Sequence, residues 1–82
     1  MTSEHIIKKE EQTIFVLLLN ESLAVWKPIK AIEVETNVFK IISKNEDPND
    51  EQWEFNYQEI VKCEEKDLSD ETRRLVATAK HI

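Results

Sequence analysis

Leu23-Ala24-Val25-Trp26-Lys27-Pro28-Ile29-Lys30-Ala31 is an apolar stretch with one large aromatic side chain near its centre and a single proline. Turn-forming residues, Asn20-Glu21-Ser22, precede it. We therefore predict a β-strand over residues 23–34. Proline cannot donate a hydrogen bond to a sheet, so Pro28 indicates either an edge position or a bulge. A bulge at this point would let one strand contribute to two sheets of a small barrel.

Further strands are predicted around this one from short runs that are rich in β-branched and aromatic residues. They cover residues 13–19, with both faces buried or nearly so, and residues 38–43, 53–55 and 60–64. The chain contains no glycine, so asparagine and aspartate are expected in every turn that needs a positive φ angle. The short link Glu35-Thr36-Asn37 therefore predicts a hairpin with Asn37 in the left-handed conformation.

The two ends of the chain carry weaker signals. Residues 1–11 are polar and charged, and we predict a poorly ordered arm there. Residues 69–80 fit a final strand that begins near Arg73, and they equally fit a helix with Ser69 as its N-cap. The residues alone leave both alternatives open.

Length and charge restrict what kind of protein this is. With 82 residues the chain fits one small domain over residues 1–82, too small to keep a large internal cavity for a small-molecule substrate. A formal net charge of −6 disfavours nucleic acid and anionic membranes as partners, because both select basic surfaces. The single cysteine, the lack of a signal-peptide pattern and the shortness of the longest apolar run, residues 14–19, predict a cytoplasmic location.

Residues that could carry out chemistry are scarce. The lack of glycine removes the glycine-dependent phosphate loops. Cys63 lies in a segment of alternating apolar and polar residues, which is typical of a buried and inert thiol. The histidines His5 and His81 both lie near the termini, so neither a nucleophile with its base nor a zinc site is indicated. We therefore expect no enzymatic activity, no metal and no cofactor.

The two tryptophans, Trp26 and Trp53, allow two interpretations. Both side chains can belong to the core, with each indole N–H bonded to a carbonyl group. Alternatively, they can line an aromatic groove for a partner, flanked by Lys27 and Glu54, because aromatic side chains also dominate interfaces.

Acidic residues cluster in the polar segment that follows the predicted third strand. They are Glu46, Asp47, Asp50, Glu51 and Glu54. The segment lacks the regular ligand spacing and the glycine of a calcium-binding loop. A solvated loop is the simpler interpretation, and an electrostatic patch for a basic partner is the alternative.

Several segments together resemble a group of small bacterial proteins of undefined function. They are residues 17–31, 37–42, 50–55 and 60–64, and the closing Leu75-Val76-Ala77. The group shares Val-Trp-Arg-Pro-Val, Asp-Glu-x-Trp-Glu-Phe and Val-x-Cys-Glu, whereas Lys27 replaces the arginine here and Asn37 replaces a turn glycine. The resemblance covers most of the chain from Thr13 onward. It implies a mainly all-β fold, a small curved antiparallel sheet or an SH3-like barrel of five to six strands, with a strand at the C-terminal end.

These features favour binding over catalysis. We predict a non-catalytic protein-interaction module that binds a protein partner, or a second copy of itself, through a sheet edge or an aromatic groove. The alternative is an acidic inhibitor or immunity-type protein that blocks a basic target such as a nuclease. The candidate partner-binding residues are Trp26, Lys27, Asp47, Asp50, Glu51, Trp53 and Glu54.

Overall fold

Five β-strands close into a small barrel in the computed structural model, which describes residues 10–68 and 73–81. The strands are β1 (Glu11–Leu17), β2 (Trp26–Glu35), β3 (Val38–Ile41), β4 (Ile60–Asp67) and β5 (Arg73–Lys80). The described residues contain no helix, so the all-β prediction is confirmed. Because β5 begins at Arg73, the strand alternative holds for the C-terminal segment, and the proposed N-cap Ser69 lies outside the described residues.

The order of the strands around the barrel is the order in the sequence. Each of the four successive pairs is antiparallel. An odd number of alternating strands leaves the first and the last pointing the same way, and β1 and β5 accordingly meet in parallel, with Phe15 opposite Val76. A barrel closes only if its strands curve, and two bulges curve them here. The extra residues are Val34 in β2 and Thr78 in β5, the latter opposite Lys62 and Cys63.

The bulge predicted at Pro28 is wrong. The register between β1 and β2 is unbroken, and Pro28 lies directly opposite Phe15. The edge position predicted as the alternative is confirmed, because β3 pairs with β2 only from Ala31 onward. The missing N–H of Pro28 therefore falls in a stretch where β2 has a strand neighbour on one side only.

Five of the predicted strands need correction. The third ends at Ile41 rather than at residue 43, and the one that begins at Ile60 runs to Asp67 rather than to residue 64. The strand over residues 53–55 is wrong: Trp53 forms only an isolated bridge with Leu18. The second strand begins at Trp26, and Leu23 lies in the preceding loop with 79% of its surface exposed. The first strand begins at Glu11, within the segment predicted as a poorly ordered arm, and its face that carries Phe15 is only partly buried.

The core lies inside the barrel and is apolar throughout. No charged or polar residue of the described chain is classed as buried. The residues that form the core cluster are Ile14, Val16, Leu18, Ile29, Ala31, Phe39, Ile41, Trp53, Phe55, Val61, Cys63 and Ala77. The alternation of buried and exposed positions along β1 and β2 places one side of each strand in this core.

Two residues adopt positive φ angles in place of glycine. Asn37 has a φ of 63°, as predicted for the β2–β3 hairpin. Gln58 has a φ of 73° in the turn before β4. The expectation that only asparagine or aspartate would fill such positions is therefore wrong at Gln58, since the turn uses a residue with no special tolerance for this conformation.

Candidate functional site

The acidic segment between β3 and β4 folds back on itself. Asn45 fastens the loop at both ends, because its Oδ1 accepts the N–H of Asp47 over 2.9 Å and its Nδ2 donates to the carbonyl of Glu51 over 2.7 Å. The carbonyl of Asp47 accepts the N–H groups of Asp50 and Glu51. An asparagine that bonds the backbone two residues ahead is a common turn motif. The segment is thus a folded turn with its backbone fixed.

This folded turn is docked on the end of β1. The Nδ2 of Asn20 donates to the carbonyl of Asp50 over 2.9 Å, and its Oδ1 accepts the N–H of Gln52. The backbone of Leu19 donates to the carbonyl of Gln52 over 2.6 Å. Contacts between segments far apart in sequence therefore hold the acidic loop against the mouth of the barrel.

Glu51 joins the acidic loop to β2 and to the core. Its Oε1 accepts the indole N–H of Trp53 over 3.1 Å, and its Oε2 lies 3.2 Å from the ammonium of Lys27. The hydrogen bond from Trp53 and then the bond from Lys27 hold the pKa of the Glu51 carboxyl below its ordinary value of 4.5, against the opposing effect of desolvation. Both carboxylate oxygens are therefore occupied within the chain.

A groove of about 410 Å³ opens between β2 and the acidic loop. We call it the β2 groove. One wall is Lys27, Pro28 and Ile29, the other is formed by residues 43–47, and Glu51 and Trp53 complete the lining. Toward the barrel the two walls are joined, because the backbone of Lys30 donates to Ser43 Oγ over 2.8 Å and accepts the N–H of Ile42.

The cations of the β2 groove are engaged, whereas some of its carboxylates are not. Lys27 pairs with Glu51, and the ammonium of Lys44 lies 5.1 Å from the centre of the Tyr57 ring. The side chains of Glu46 and Asp47 are exposed and make no hydrogen bond or ion pair within the described residues. The groove therefore presents two unpaired carboxylates.

The structure assembles only part of the predicted set of site residues. Lys27, Asp47, Glu51 and Trp53 line the β2 groove together. Trp53 is 5% exposed, so it belongs to the core and shows only an edge to the groove. The remaining predicted residues, Trp26, Asp50 and Glu54, do not line it.

The two tryptophans do not form one aromatic groove. Trp26 lies opposite Leu17, on the face of β1 and β2 that points away from the core, whereas Trp53 points inward. The core positions Val16 and Ile29 fix this assignment, because neighbouring residues of a strand point to opposite faces.

Three residues that hold the site together were missed in the sequence. They are Asn45, which fastens the loop, Ser43, which joins the walls, and Asn20, which docks the loop on β1. A signal existed for the first of these, because asparagine two residues before aspartate in a polar segment is typical of a side-chain-stabilised turn. No local pattern marks the other two, since each bonds a partner at least 13 residues away.

The described part of the chain holds no group of three or more His, Cys, Asp or Glu side chains positioned to bind a metal ion. None of its segments is a helix of the length and apolarity needed to cross a membrane. Cys63 is free and buried at 2% exposure, and burial, with a smaller effect of the Glu33 charge, raises its pKa to about 12. This thiol is therefore held in the protonated form, which is a poor nucleophile.

Comparisons of the chain with family models, with curated proteins and with solved structures find no match. The resemblance to the group of small bacterial proteins therefore stays a prediction. What the molecule can bind has to be inferred from the β2 groove and the surfaces around it.

Proposed function

We propose that this protein is a non-catalytic interaction module whose β2 groove binds an extended, basic segment of a protein partner. The observation that carries the proposal is the charge state of the groove. Its lysines are engaged by Glu51 and Tyr57, while the carboxylates of Glu46 and Asp47 are unpaired. An arginine or lysine side chain of a partner would supply the missing cation, and complementary charges of this kind determine partner choice and association rate.

The rigidity of the groove supports a binding role. Asn45 and Asn20 fix the backbone of the acidic loop, and Glu51 fixes Lys27 and Trp53 at its base. A site whose side chains are already ordered loses less conformational entropy when a ligand binds. The partner would therefore meet a preformed cleft.

Strand addition is the less favourable mode of binding at this edge. A strand that joins β2 beside Pro28 would find a carbonyl but no N–H at that residue. Proline is one of the devices that keep free sheet edges from pairing with other chains. We therefore propose that side chains of the partner, rather than a continuous backbone ladder, make the principal contacts.

The type of barrel, the family and the cellular location are also part of this proposal. We propose an SH3-like arrangement for the five-stranded barrel, membership of the bacterial group that its sequence resembles, and a cytoplasmic location. The single, buried cysteine supports a location in a reducing compartment.

A titration of the ¹⁵N-labelled protein with two synthetic pentapeptides tests the proposal. One peptide alternates lysine with leucine and the other alternates glutamate with leucine. The basic peptide should shift the amide signals of Lys27, Ile29 and residues 43–47, and the acidic peptide should leave these signals unchanged. Shifts that are equal for both peptides, or that fall outside the groove, would contradict the proposal.

Matched variants distinguish binding at the β2 groove from a general effect of the protein's net charge. The pair Glu46→Gln and Asp47→Asn removes two charges at the groove, and the pair Glu10→Gln and Glu11→Gln removes two charges near the start of β1. The groove pair should weaken binding of the basic peptide roughly fivefold or more, because each exposed ion pair contributes up to about 1 kcal/mol. The control pair should leave the affinity within about twofold.

One observation favours a second candidate, an acidic inhibitor of a basic enzyme. Asp50 and Glu54 are exposed beside the groove, so the unpaired negative charge extends beyond it. Such a surface would associate with a basic nuclease rapidly and with strong dependence on salt. Neutralisation of Asp47 and Asp50 should then slow association with the nuclease, whereas dissociation should change little. Glu51 is kept in this test, because both of its oxygens are already used within the chain.

A further inference from the structure

Exposed apolar side chains gather on the loop that joins β1 to β2. Six large apolar residues of the described chain are exposed, and three of them belong to this loop. They are Leu19, Leu23 and Val25, with 55%, 79% and 39% of their surfaces exposed. We call these three residues the apolar rim. Single exposed apolar side chains are common on protein surfaces, whereas several gathered on one loop are typical of a binding site.

The apolar rim continues the lining of the β2 groove. The N–H of Leu18 donates to the carbonyl of Val25 over 2.9 Å, which extends the pairing of β1 with β2 one residue beyond Trp26. Alternate residues of an extended chain point to the same face, so Val25 follows Ile29 and Lys27 in the row that lines the groove. At the usual rise of a strand, Val25 lies about 13 Å from Ile29. One short segment of a partner can therefore contact both surfaces.

The acidic loop is fixed beside the apolar rim. The N–H of Leu19 donates to the carbonyl of Gln52 over 2.6 Å. The side chain of Asn20 bonds the backbone of Asp50 and of Gln52. These bonds hold carboxylate-bearing residues next to exposed leucine, so the rim is apolar with an acidic border.

Negative charge dominates the two loops that form this border. Residues 18–25 and 42–59 together carry seven carboxylates and a single lysine, Lys44. The neighbouring Lys27 is already paired with Glu51. Besides the two free carboxylates of the groove, three acidic side chains are exposed and make no hydrogen bond or ion pair within the described residues, namely Glu21, Asp50 and Glu54. A segment that covers the rim therefore has to bring positive charge with it.

We propose that the segment bound by the β2 groove is bipartite: its cations enter the groove, and two large apolar side chains about four residues away cover the apolar rim. The inference rests on the proposed function of the groove and adds what the partner carries beside its cations. Apolar surface removed from water supplies affinity, and the bordering carboxylates restrict the choice to basic segments.

Charge disfavours the two other occupants of an exposed apolar surface. A second copy of the chain bound around a two-fold axis would bring the same rim, and with it the same carboxylates, from both copies together. A membrane surface carries anionic lipids, and segments that lie on it join apolar residues to basic ones. The rim has the opposite combination, which a basic protein segment complements.

Three heptapeptides with blocked ends, titrated into the ¹⁵N-labelled full chain, test the inference. The first has two leucines, three serines and two lysines in that order, the second replaces its leucines by serine, and the third replaces its lysines by glutamate. Each is prepared in both chain directions, and the tighter binder of each pair is compared. The first should shift the amide signals of residues 19–25 together with those of the groove, and should bind roughly fivefold more tightly than the second. The third should leave both sets of signals unchanged.

The outcomes distinguish this inference from the groove proposal. If the first and second peptides bind equally, with shifts confined to the groove, the bipartite partner is wrong and the preference of the groove for a basic segment stands. If neither shifts the groove signals, both proposals fail. Binding of the third peptide to the rim as tightly as the first, or loss of the rim signals on addition of phosphatidylcholine vesicles, would overturn the inference. The alternating pentapeptide cannot place two adjacent leucines on the rim and its lysines in the groove at once, so its shifts should stay within the groove.

A substitution on the rim, with a matched substitution elsewhere, completes the test. Leu23→Ser should weaken the first peptide roughly threefold and leave the affinity of the second within about twofold, and Leu23→Met should restore the binding of the first. Ile60→Ser removes an exposed apolar side chain from β4, which pairs with neither β1 nor β2, and should leave both affinities within about twofold. Equal losses from Leu23→Ser and Ile60→Ser would overturn the inference. Dispersed amide spectra of the variants confirm that each is folded.

Discussion

Trp53 donates its indole N–H to the carboxylate of Glu51 over 3.1 Å, with a single residue between them in the chain. The bond connects a core side chain to the acidic loop at the mouth of the barrel. Lys27 lies 3.2 Å from the other oxygen of the same carboxylate, so β2 is connected to the loop through the same group. The charge of Glu51 thus contributes both to the stability of the groove and to its electrostatic potential.

The stability of the protein should depend on the ionisation of Glu51. Its pKa is lower in the folded state than the ordinary value of 4.5, so the carboxylate stabilises the fold above that value. This contribution is lost as the pH falls from about 4.5 through the folded-state pKa. Glu51→Gln should therefore have a lower urea midpoint than the native protein at neutral pH, and the difference should shrink on acidification.

Glu54→Gln is the control for this pH series. Glu54 is exposed, and its side chain makes no hydrogen bond or ion pair within the described residues. Its urea midpoint should follow that of the native protein across the same pH range. A difference between native protein and Glu51→Gln that is independent of pH would mean that the carboxylate charge plays no part.

The two tryptophans should respond differently to a collisional quencher. Trp26→Phe leaves only the buried Trp53, so the emission should be blue-shifted and resistant to acrylamide. Trp53→Phe leaves the outward-facing Trp26, which should emit further to the red and be quenched more readily. The second variant should also lose about 2 kcal/mol of stability, because it removes core volume and the donor to Glu51, whereas the first should lose under about 1 kcal/mol. Urea unfolding followed by circular dichroism measures both, and equal quenching of the two variants would contradict the opposed orientations.

The strands of the barrel could be predicted because each depends mainly on residues that are neighbours in the sequence. A short run rich in β-branched and aromatic residues marks β1, and the alternation of apolar and polar residues marks β4. The missing glycine leaves Asn37 as the tolerant residue for the β2–β3 turn. The segment 53–55 also alternates, but its backbone meets only the short end of β1, so the pattern yields a single bridge. The alternation of apolar and polar residues indicates which side chains are buried. It does not indicate how many neighbouring strands the backbone pairs with.

The site could be predicted only in part, because its geometry comes from contacts over long distances in sequence. The opposed directions of Trp26 and Trp53 follow from the register of β1 with β2 and from the docking of the acidic loop by Asn20. The bulges that curve the barrel, at Val34 and Thr78, carry neither proline nor glycine, so nothing in the sequence distinguishes them from regular strand. Pro28 does carry a signal, because proline indicates either a bulge or an edge position. The sequence could not decide between the two, since the answer depends on where β3 begins to pair with β2.

Gln58 holds a φ of 73° without the tolerance of glycine or asparagine, and its replacement by glycine should stabilise the protein. The left-handed conformation costs an ordinary residue about 1–2 kcal/mol, and the greater freedom of glycine in the unfolded chain offsets about half of that. Gln58→Gly should therefore gain about 0.5–1 kcal/mol in urea unfolding. Asn37→Gly is the matched control at a φ of 63° and should change stability less, because asparagine already tolerates this region. A loss of stability in Gln58→Gly would show that the turn is held by something other than backbone tolerance.

Cys63 should react with thiol reagents only when the barrel opens. It is 2% exposed, and burial raises its pKa to about 12, so both access and the thiolate are lacking in the folded state. Labelling with a chromogenic disulfide at pH 8 should be slow in buffer and should accelerate in parallel with unfolding as urea is added. Ser22→Cys places a second thiol in the exposed β1–β2 loop of the same chain, and this variant should show a fast and a slow phase of equal amplitude. The raised pKa also predicts that the thiol favours the folded state below pH 9.0, and that this contribution disappears as the pH rises from 9.0 toward 12. A single fast phase in the Ser22→Cys variant would mean that the wall of the barrel between β4 and β5 is open in the native protein.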